Sequence, residues 1–172
     1  MEKPQPESTV DQVYTIERAR SSQDLEATRS LFAAYAEAMG LDLAFQGFDN
    51  ELQSLPGKYA PPTGEILLAR SRTGTVLGCV AVRPLGPGCC EMKRLYILPD
   101  ARGLGLGKKL IDSIIEVAAG LGYHEIKLDT LPSMHAAIAL YTNAGFVPTL
   151  PYYDTPLDGT IFLARGFHDN PV

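Results

Sequence analysis

The chain has 172 residues, 45% of them hydrophobic and 20% charged, which suits one globular domain with a core of its own. A net charge of −5 argues against a nucleic-acid partner, and no apolar run approaches the roughly 20 residues of a membrane helix. The three cysteines, Cys79, Cys89 and Cys90, are odd in number and lack Cys-x-x-Cys spacing, so they read as reduced thiols of a cytoplasmic protein, with no disulfide framework and no metal site.

Residues 1–12 are polar and carry prolines, which predicts a disordered tail ahead of a single domain over 13–168. Val13 to Arg20 alternates apolar and polar, as a strand does. Ser21 to Asp24 supplies N-cap chemistry for a helix from about Asp24 to Met39, with Leu25, Thr28, Phe32, Tyr35 and Met39 on one face and Gly40 as its stop. Residues 41–63 show little periodicity beyond a short helix at Asp49 to Leu55, and a long irregular segment is often functional. Glu65 to Arg70 and Val76 to Arg83 make a hairpin around Ser71 to Gly74, and Cys89 to Leu98 is the next strand. A helix spans about Gly105 to Ala119, with Leu106, Leu110, Ile114, Val117 and Leu121 as its stripe. Strand Glu125 to Asp129 follows, so the strands flanking that helix should be parallel. Ser133 is placed to cap a helix from Met134 to Ala144, and strands at Phe146 to Tyr153 and Thr160 to Arg165 close the chain.

The stretch Arg102-Gly-Leu-Gly-Leu-Gly107-Lys108-Lys109 opens the helix after residue 105. Bare backbone N–H groups, a positive dipole end and flanking cations are the means of holding a pyrophosphate. A Walker A loop fails here, because Arg102 stands where its first glycine belongs and Lys109 where its hydroxyl belongs. A dinucleotide fingerprint fails on spacing, since the run is Gly-x-Gly-x-Gly. Arg-x-x-Gly-x-Gly fits, and it resembles the coenzyme A loop of the GNAT superfamily of N-acetyltransferases. Two further stretches carry the resemblance. Glu91 to Gly103 resembles the family's fourth strand and loop entry, and Ala137 to Phe146, with its Tyr-x-x-x-Gly-Phe, resembles a second signature. The likeness runs from Val13 to Arg165 and is densest over residues 91 to 147.

The resemblance implies an α+β fold: a mixed, mostly antiparallel sheet of six to seven strands flanked by helices, with one βαβ crossover and splayed fourth and fifth strands. It implies acetyl-coenzyme A as co-substrate, no metal, and direct transfer to a primary amine of a small molecule such as an amino acid or polyamine. A protein or peptide acceptor, or a non-catalytic acyl-coenzyme A-binding domain, is the alternative. Leu95, Tyr96 and Ile97 would hold the cofactor arm by backbone groups, and Arg102, Gly103, Leu104, Gly105, Leu106, Gly107 and Lys108 its pyrophosphate. Asn143 is a further cofactor candidate, since Met134 stands where many members carry an asparagine. Tyr141 matches the general acid. Glu91 is the first choice of base, because six-residue spacing puts its side chain on the face of Ile97, and Asp129 is the second; bulk water is the third route. Phe45, Tyr152, Tyr153 and Asp154 would meet the acceptor. The family allows a monomer or a homodimer.

Overall fold

Both faces of the sheet are covered, and the strands alternate to match. The computed structural model describes residues 13–40 and 42–167. Its elements are β1 (Tyr14–Arg18), α1 (Ser22–Met39), α2 (Phe48–Ser54), β2 (Glu65–Ser71), β3 (Val76–Gly86), β4 (Cys89–Ile97), α3 (Leu106–Gly120), β5 (Glu125–Thr130), α4 (His135–Asn143), β6 (Val147–Pro148) and β7 (Ile161–Gly166). The tail expected over 1–12 and the domain end at 168 lie outside the described residues. On β2 and β3, Leu67, Ala69, Val80 and Val82 point to one core, while Ile66, Leu68, Cys79 and Ala81 point to the other. The first core is closed by α3, whose Leu106, Leu110, Ile111, Ile114, Ile115 and Ala118 are buried. The second is closed by Leu31 and Phe32 of α1, Phe48 of α2, and Leu55 and Tyr59.

The seven strands form one sheet in the order β1-β2-β3-β4-β5-β7-β6. The pair β4–β5 is parallel, joined through α3, and the rest are antiparallel. That parallel pairing covers only Cys89 to Glu91 against Glu125 to Lys127. Beyond it β5 continues along β7 as far as Thr130, while β4 continues along β3 as far as Ile97. The two strands part, and the β5-facing edge of β4 is left without a strand partner from Met92 onward. This splay opens the middle of the sheet.

Three local expectations are corrected. The strand expected at Phe146 to Tyr153 is reduced to Val147–Pro148, because prolines at 148 and 151 remove ladder donors; Thr149 N–H still reaches Phe162 O at 2.9 Å. Ser133 does not cap α4: Met134 holds that position, with no side-chain hydrogen bond. The third concerns β4. Its pairing with β3 slips between Cys79 and Ala81, which face Tyr96 and Lys93, so β4 carries one extra residue there. Arg94 takes a left-handed backbone at φ 62°. The bulge inverts the alternation: Cys90 and Met92 point to the α3 core before it, Leu95 and Ile97 after it. Glu91 and Ile97 therefore lie on opposite faces.

At the other end of the sheet, α1 starts on a capping box. Asp24 N–H donates to Ser21 Oγ at 3.0 Å, and Ser21 N–H and Arg20 N–H donate to Asp24 Oδ2.

Candidate active site

Two cavities meet at the splay. The larger, about 640 Å³, runs from α1 across the end of β4 to the start of α3 and the near face of α4. Leu95, Tyr96, Ile97, Arg102, Gly103, Gly105, Leu106, Gly107 and Lys108 line it, as do Ala137 and Leu140. Its volume lies in the range of ligand sites. The walls near Leu95, Ile97, Ala137 and Leu140 are apolar, and the far end is a polypeptide turn at a helix N-terminus. Gly105, the N-cap of α3, offers no side-chain cap, so the N–H groups of the first turn stay available to a ligand. Gly103 and Gly105 have φ of 87° and 75° with open space where a Cβ would stand, so a left-handed backbone and not crowding requires glycine at both. An apolar trough ending in a cradle of N–H groups and cations fits the arm and pyrophosphate of coenzyme A.

Not every loop residue faces inward. Leu104 is 45% exposed and does not line the cavity. Arg102 Nε donates to Ile97 O at 3.3 Å, which ties the loop back to β4. Lys108 lines the cavity and also pairs with Asp112 at 2.6 Å, one turn along α3. Asn143 is exposed at the end of α4 and lines neither cavity. Met134 lines both, with its Sδ accepting from Thr130 Oγ1 at 3.5 Å.

The smaller cavity, about 40 Å³, sits inside the splay. It shares Tyr35, Met39, Leu95, Leu131 and Met134 with the larger one, so the two adjoin. Its polar walls are Gln46, Lys93, Arg94, Asp129, Thr130, Tyr141 and Thr160. Tyr141 is 6% exposed, and its ring meets Phe146 edge-on at 5.9 Å. Burial raises the pKa of this phenol well above the usual value, with Tyr35 and the charge of Asp129 adding to it, so the hydroxyl keeps its proton.

The two candidate carboxylates differ in placement. Glu91 is 2% exposed and lies outside the lining of the small cavity. Arg83 Nε donates to its Oε1 at 3.0 Å and Tyr152 Oη to its Oε2 at 2.6 Å. Asp129 lines the cavity and accepts from Tyr153 Oη. Burial raises the pKa of both tyrosines, helped by the charge of Glu91 on Tyr152 and the hydrogen bond to Asp129 on Tyr153, so each remains a donor. Their rings both lie edge-on to Phe162, at 5.1 and 5.4 Å, which fixes the loop that carries them. Tyr152 and Tyr153 are thus bonded to the carboxylates and do not line the cavity; Phe45 and Asp154 are exposed and outside it.

A network on the other side of the cavity was not anticipated. Arg94 is 4% exposed, and its guanidinium forms a two-point pair with Glu51, Nε to Oε2 at 2.9 Å and Nη2 to Oε1 at 3.2 Å. Its Nη1 donates to Gln46 Oε1 at 3.0 Å, and it lies 5.0 Å from the Phe48 ring centre and 5.6 Å from that of Tyr35. Tyr59 Oη also donates to Glu51, at 2.7 Å. These contacts fasten the irregular segment after α1 onto the bulge of β4. Lys93 Nζ donates to Gln46 Oε1 at 3.2 Å. Burial drives the Lys93 pKa below the usual lysine value, Arg94 and Arg83 push the same way, and the charges of Glu91 and Asp129 oppose it. The signal in the sequence was Lys93-Arg94 itself, two charges in mid-strand between apolar Met92 and Leu95.

Comparison with known proteins agrees with this geometry. The model of the Acetyltransferase (GNAT) family matches residues 26–146. An uncharacterized N-acetyltransferase of Schizosaccharomyces pombe is 45% identical over 150 residues, covering 87% of this chain and 92% of its own. An IAA acetyltransferase of Azospirillum brasilense is 38% identical over 112 residues, 62% of this chain and 69% of its own. A solved Klebsiella pneumoniae structure ascribed to the acyl-CoA N-acyltransferases superposes with a TM-score of 0.70 at 31% identity, over 91% of this chain and 99% of that one. With the splayed strands, the glycine loop and these relatives in agreement, the chain belongs to the GNAT family and is an acetyl-coenzyme A-dependent N-acetyltransferase.

Proposed function

We propose that the protein transfers acetyl directly to a primary amine of a small molecule, with donor and acceptor bound together. The observation that carries this reading is the junction of the two cavities at Leu95 and Met134, with Tyr141 and Asp129 on the acceptor side. Acetyl-coenzyme A supplies the acyl carbon as a thioester, so the C–S bond breaks as the N–C bond forms, and the ammonium loses one proton to a base and a second that replaces the one Tyr141 gives to the sulfur.

The chain's own groups divide that work. The unpaired edge of β4 offers backbone N–H groups, and that of Ile97 is assigned to the carbonyl oxygen. Tyr141 holds its proton at the hydroxyl for the leaving sulfur. Asp129 takes the first proton from the acceptor, since it is the carboxylate lining the cavity. Glu91, the first choice from sequence, becomes the anchor that positions Tyr152: both its oxygens have donors. Asn143 is no longer assigned to the cofactor.

A small acceptor is favoured over a peptide because the segment 42–59 is folded over the site by the Arg94–Glu51 pair and the Tyr59 bond to Glu51. The test is free-thiol release from acetyl-coenzyme A with amines, amino acids, polyamines and peptides, taken to initial-rate kinetics. Direct transfer gives intersecting double-reciprocal lines. Parallel lines, from a covalent acetyl-protein, would defeat it, as would turnover confined to peptides.

A further inference from the structure

Two buried cations in the small cavity converge on one neutral oxygen. Lys93 Nζ and Arg94 Nη1 donate to Gln46 Oε1 at 3.2 and 3.0 Å. Their situations differ. The charge of Arg94 is matched by Glu51 in a two-point pair. Lys93 is 6% exposed, has no ion-pair partner among the described residues, and makes one of the three hydrogen bonds an ammonium can donate. Burial disfavours the charged form of this amine, and an anion placed against its free donors favours it. The neighbouring carboxylates are engaged: Glu91 by Arg83 and Tyr152, Glu51 by Arg94 and Tyr59, Asp129 by Tyr153. Among the residues lining the cavity, Asp129 is the one carboxylate.

Resting on the acetyl-transfer reading above, we propose that Lys93 and Arg94 Nη1 form an anion subsite for the acceptor's carboxylate, so that the acceptor is an amino-acid-like zwitterion with its amine beside Asp129 and Tyr141. The carboxylate takes the place of Gln46 Oε1. Gln46 can yield, because it ends a short 3₁₀ turn, Ala44–Gln46, whose neighbours Ala44, Phe45 and Gly47 are exposed. An ionised oxygen accepts from two cationic donors more strongly than an amide oxygen does. A polyamine fits this cavity badly: its second ammonium would stand near Lys93, with one carboxylate to serve both ends. A plain amine leaves Lys93 as it was. The cavity thus carries one carboxylate for one amine, and at Lys93 a cationic donor with no carboxylate in ion-pair contact for one acid.

The test measures kcat/KM by thiol release for amino acids, their α-carboxamides, the corresponding decarboxylated amines, and spermidine. In parallel, binding of N-acetyl amino acids and N-acetyl amino-acid amides is read by thermal shift and calorimetry. The expected result is that at least one carboxylated acceptor exceeds its carboxamide by about tenfold or more, the scale of a charge-assisted hydrogen bond. Lys93→Met should bring that ratio to within about threefold, Lys93→Arg should restore part of it, and the affinity for acetyl-coenzyme A should stay the same in both. Melting curves confirm that the variants fold. The subsite is overturned if uncharged or dicationic amines match the carboxylated ones, or if Lys93→Met leaves the ratio unaltered. The two readings fail separately. Lys93-dependent binding of N-acetyl amino acids without any turnover sustains the subsite and sinks small-amine acetylation. Turnover of plain amines, with no preference for carboxylates in either assay, does the reverse.

Discussion

The two cavities, proposed above as donor and acceptor sites, are built in different ways. The donor cavity is made from consecutive chain: the end of β4, the glycine turn and the first turn of α3 supply most of its wall, through backbone groups and small residues. The acceptor cavity is made from side chains on separate elements, with Tyr35 on α1, Gln46 on the turn after it, Lys93 and Arg94 on β4, Asp129 on β5 and Tyr141 on α4. A backbone cradle needs few particular side chains, so a short motif can specify it. A side-chain cage needs each charge balanced by a residue far away in sequence, so its identity emerges only when the fold brings them together.

Breaking the acceptor cage should give the largest effect on stability. Glu51→Ala leaves the Arg94 guanidinium buried without its carboxylate, and loss of one partner of such a pair costs about 3–5 kcal/mol. Chemical denaturation of this variant should show that loss. Replacing both residues, Glu51→Leu with Arg94→Met, should recover much of it. A loss below about 1 kcal/mol would mean that the pair does not hold the 42–59 segment. Tyr141→Phe comes next and tests the junction between the cavities. It removes one hydroxyl while keeping the packing on Phe146, so kcat should fall about 10²- to 10³-fold with KM for acetyl-coenzyme A within about threefold. An unchanged kcat would remove Tyr141 as the acid.

How much was legible follows the same line. The strands and the crossover were readable because Val80 and Val82 alternate with Cys79 and Ala81, and because the stripe of α3 repeats at helical spacing, whereas the splay was expected from the family resemblance alone. The glycine turn was readable because conformation alone demands glycine at 103 and 105. The face of Glu91 was misread because nothing in Glu-Met-Lys-Arg-Leu-Tyr-Ile announces a bulge; a charged residue held at positive φ by a distant carboxylate is a tertiary fact. The closing hairpin was overextended for the opposite reason, since apolar and aromatic residues from Phe146 to Tyr153 outweighed two prolines that the ladder could not absorb. Tyr152 and Tyr153 were placed near the acceptor by the family's location of that site at the closing hairpin, and their hydroxyls bond to Glu91 and Asp129, partners that the sequence did not indicate.

A smaller perturbation addresses the donor cradle alone. Gly105→Ala puts a Cβ on a residue at φ 75°, where a left-handed backbone costs about 1–2 kcal/mol. No atom stands within 4 Å of that Cβ, so the cost is conformational and is met by shifting the turn. The Kd for coenzyme A should rise about tenfold, with the carboxylate preference of the acceptor side unaltered. An unchanged Kd would show that the first-turn N–H groups of α3 do not grip the cofactor.

The smallest effect belongs to a site outside both cavities, and it serves as the control for the comparison. Asp24 closes the capping box of α1 and pairs with Arg70 on β2. Hydrogen bonds from the backbone N–H groups of Arg20 and Ser21, aided by Arg70, lower its pKa from the usual 3.8 to about 2. A carboxyl whose folded pKa is depressed stabilises the fold when ionised, so its contribution is complete above about pH 4 and fades as the pH falls towards 2. Asp24→Ala should therefore cost about 1 kcal/mol at neutral pH, as cap removals do, and the difference from the parent protein should shrink between pH 4 and 2. Coenzyme A affinity and acceptor preference should both be untouched at pH 7. If either moves with Asp24, the two cavities are coupled through α1, by way of Tyr35 and Met39, the α1 residues that line both, and the division between a backbone-built donor site and a side-chain-built acceptor site would have to give way to a single cooperative unit.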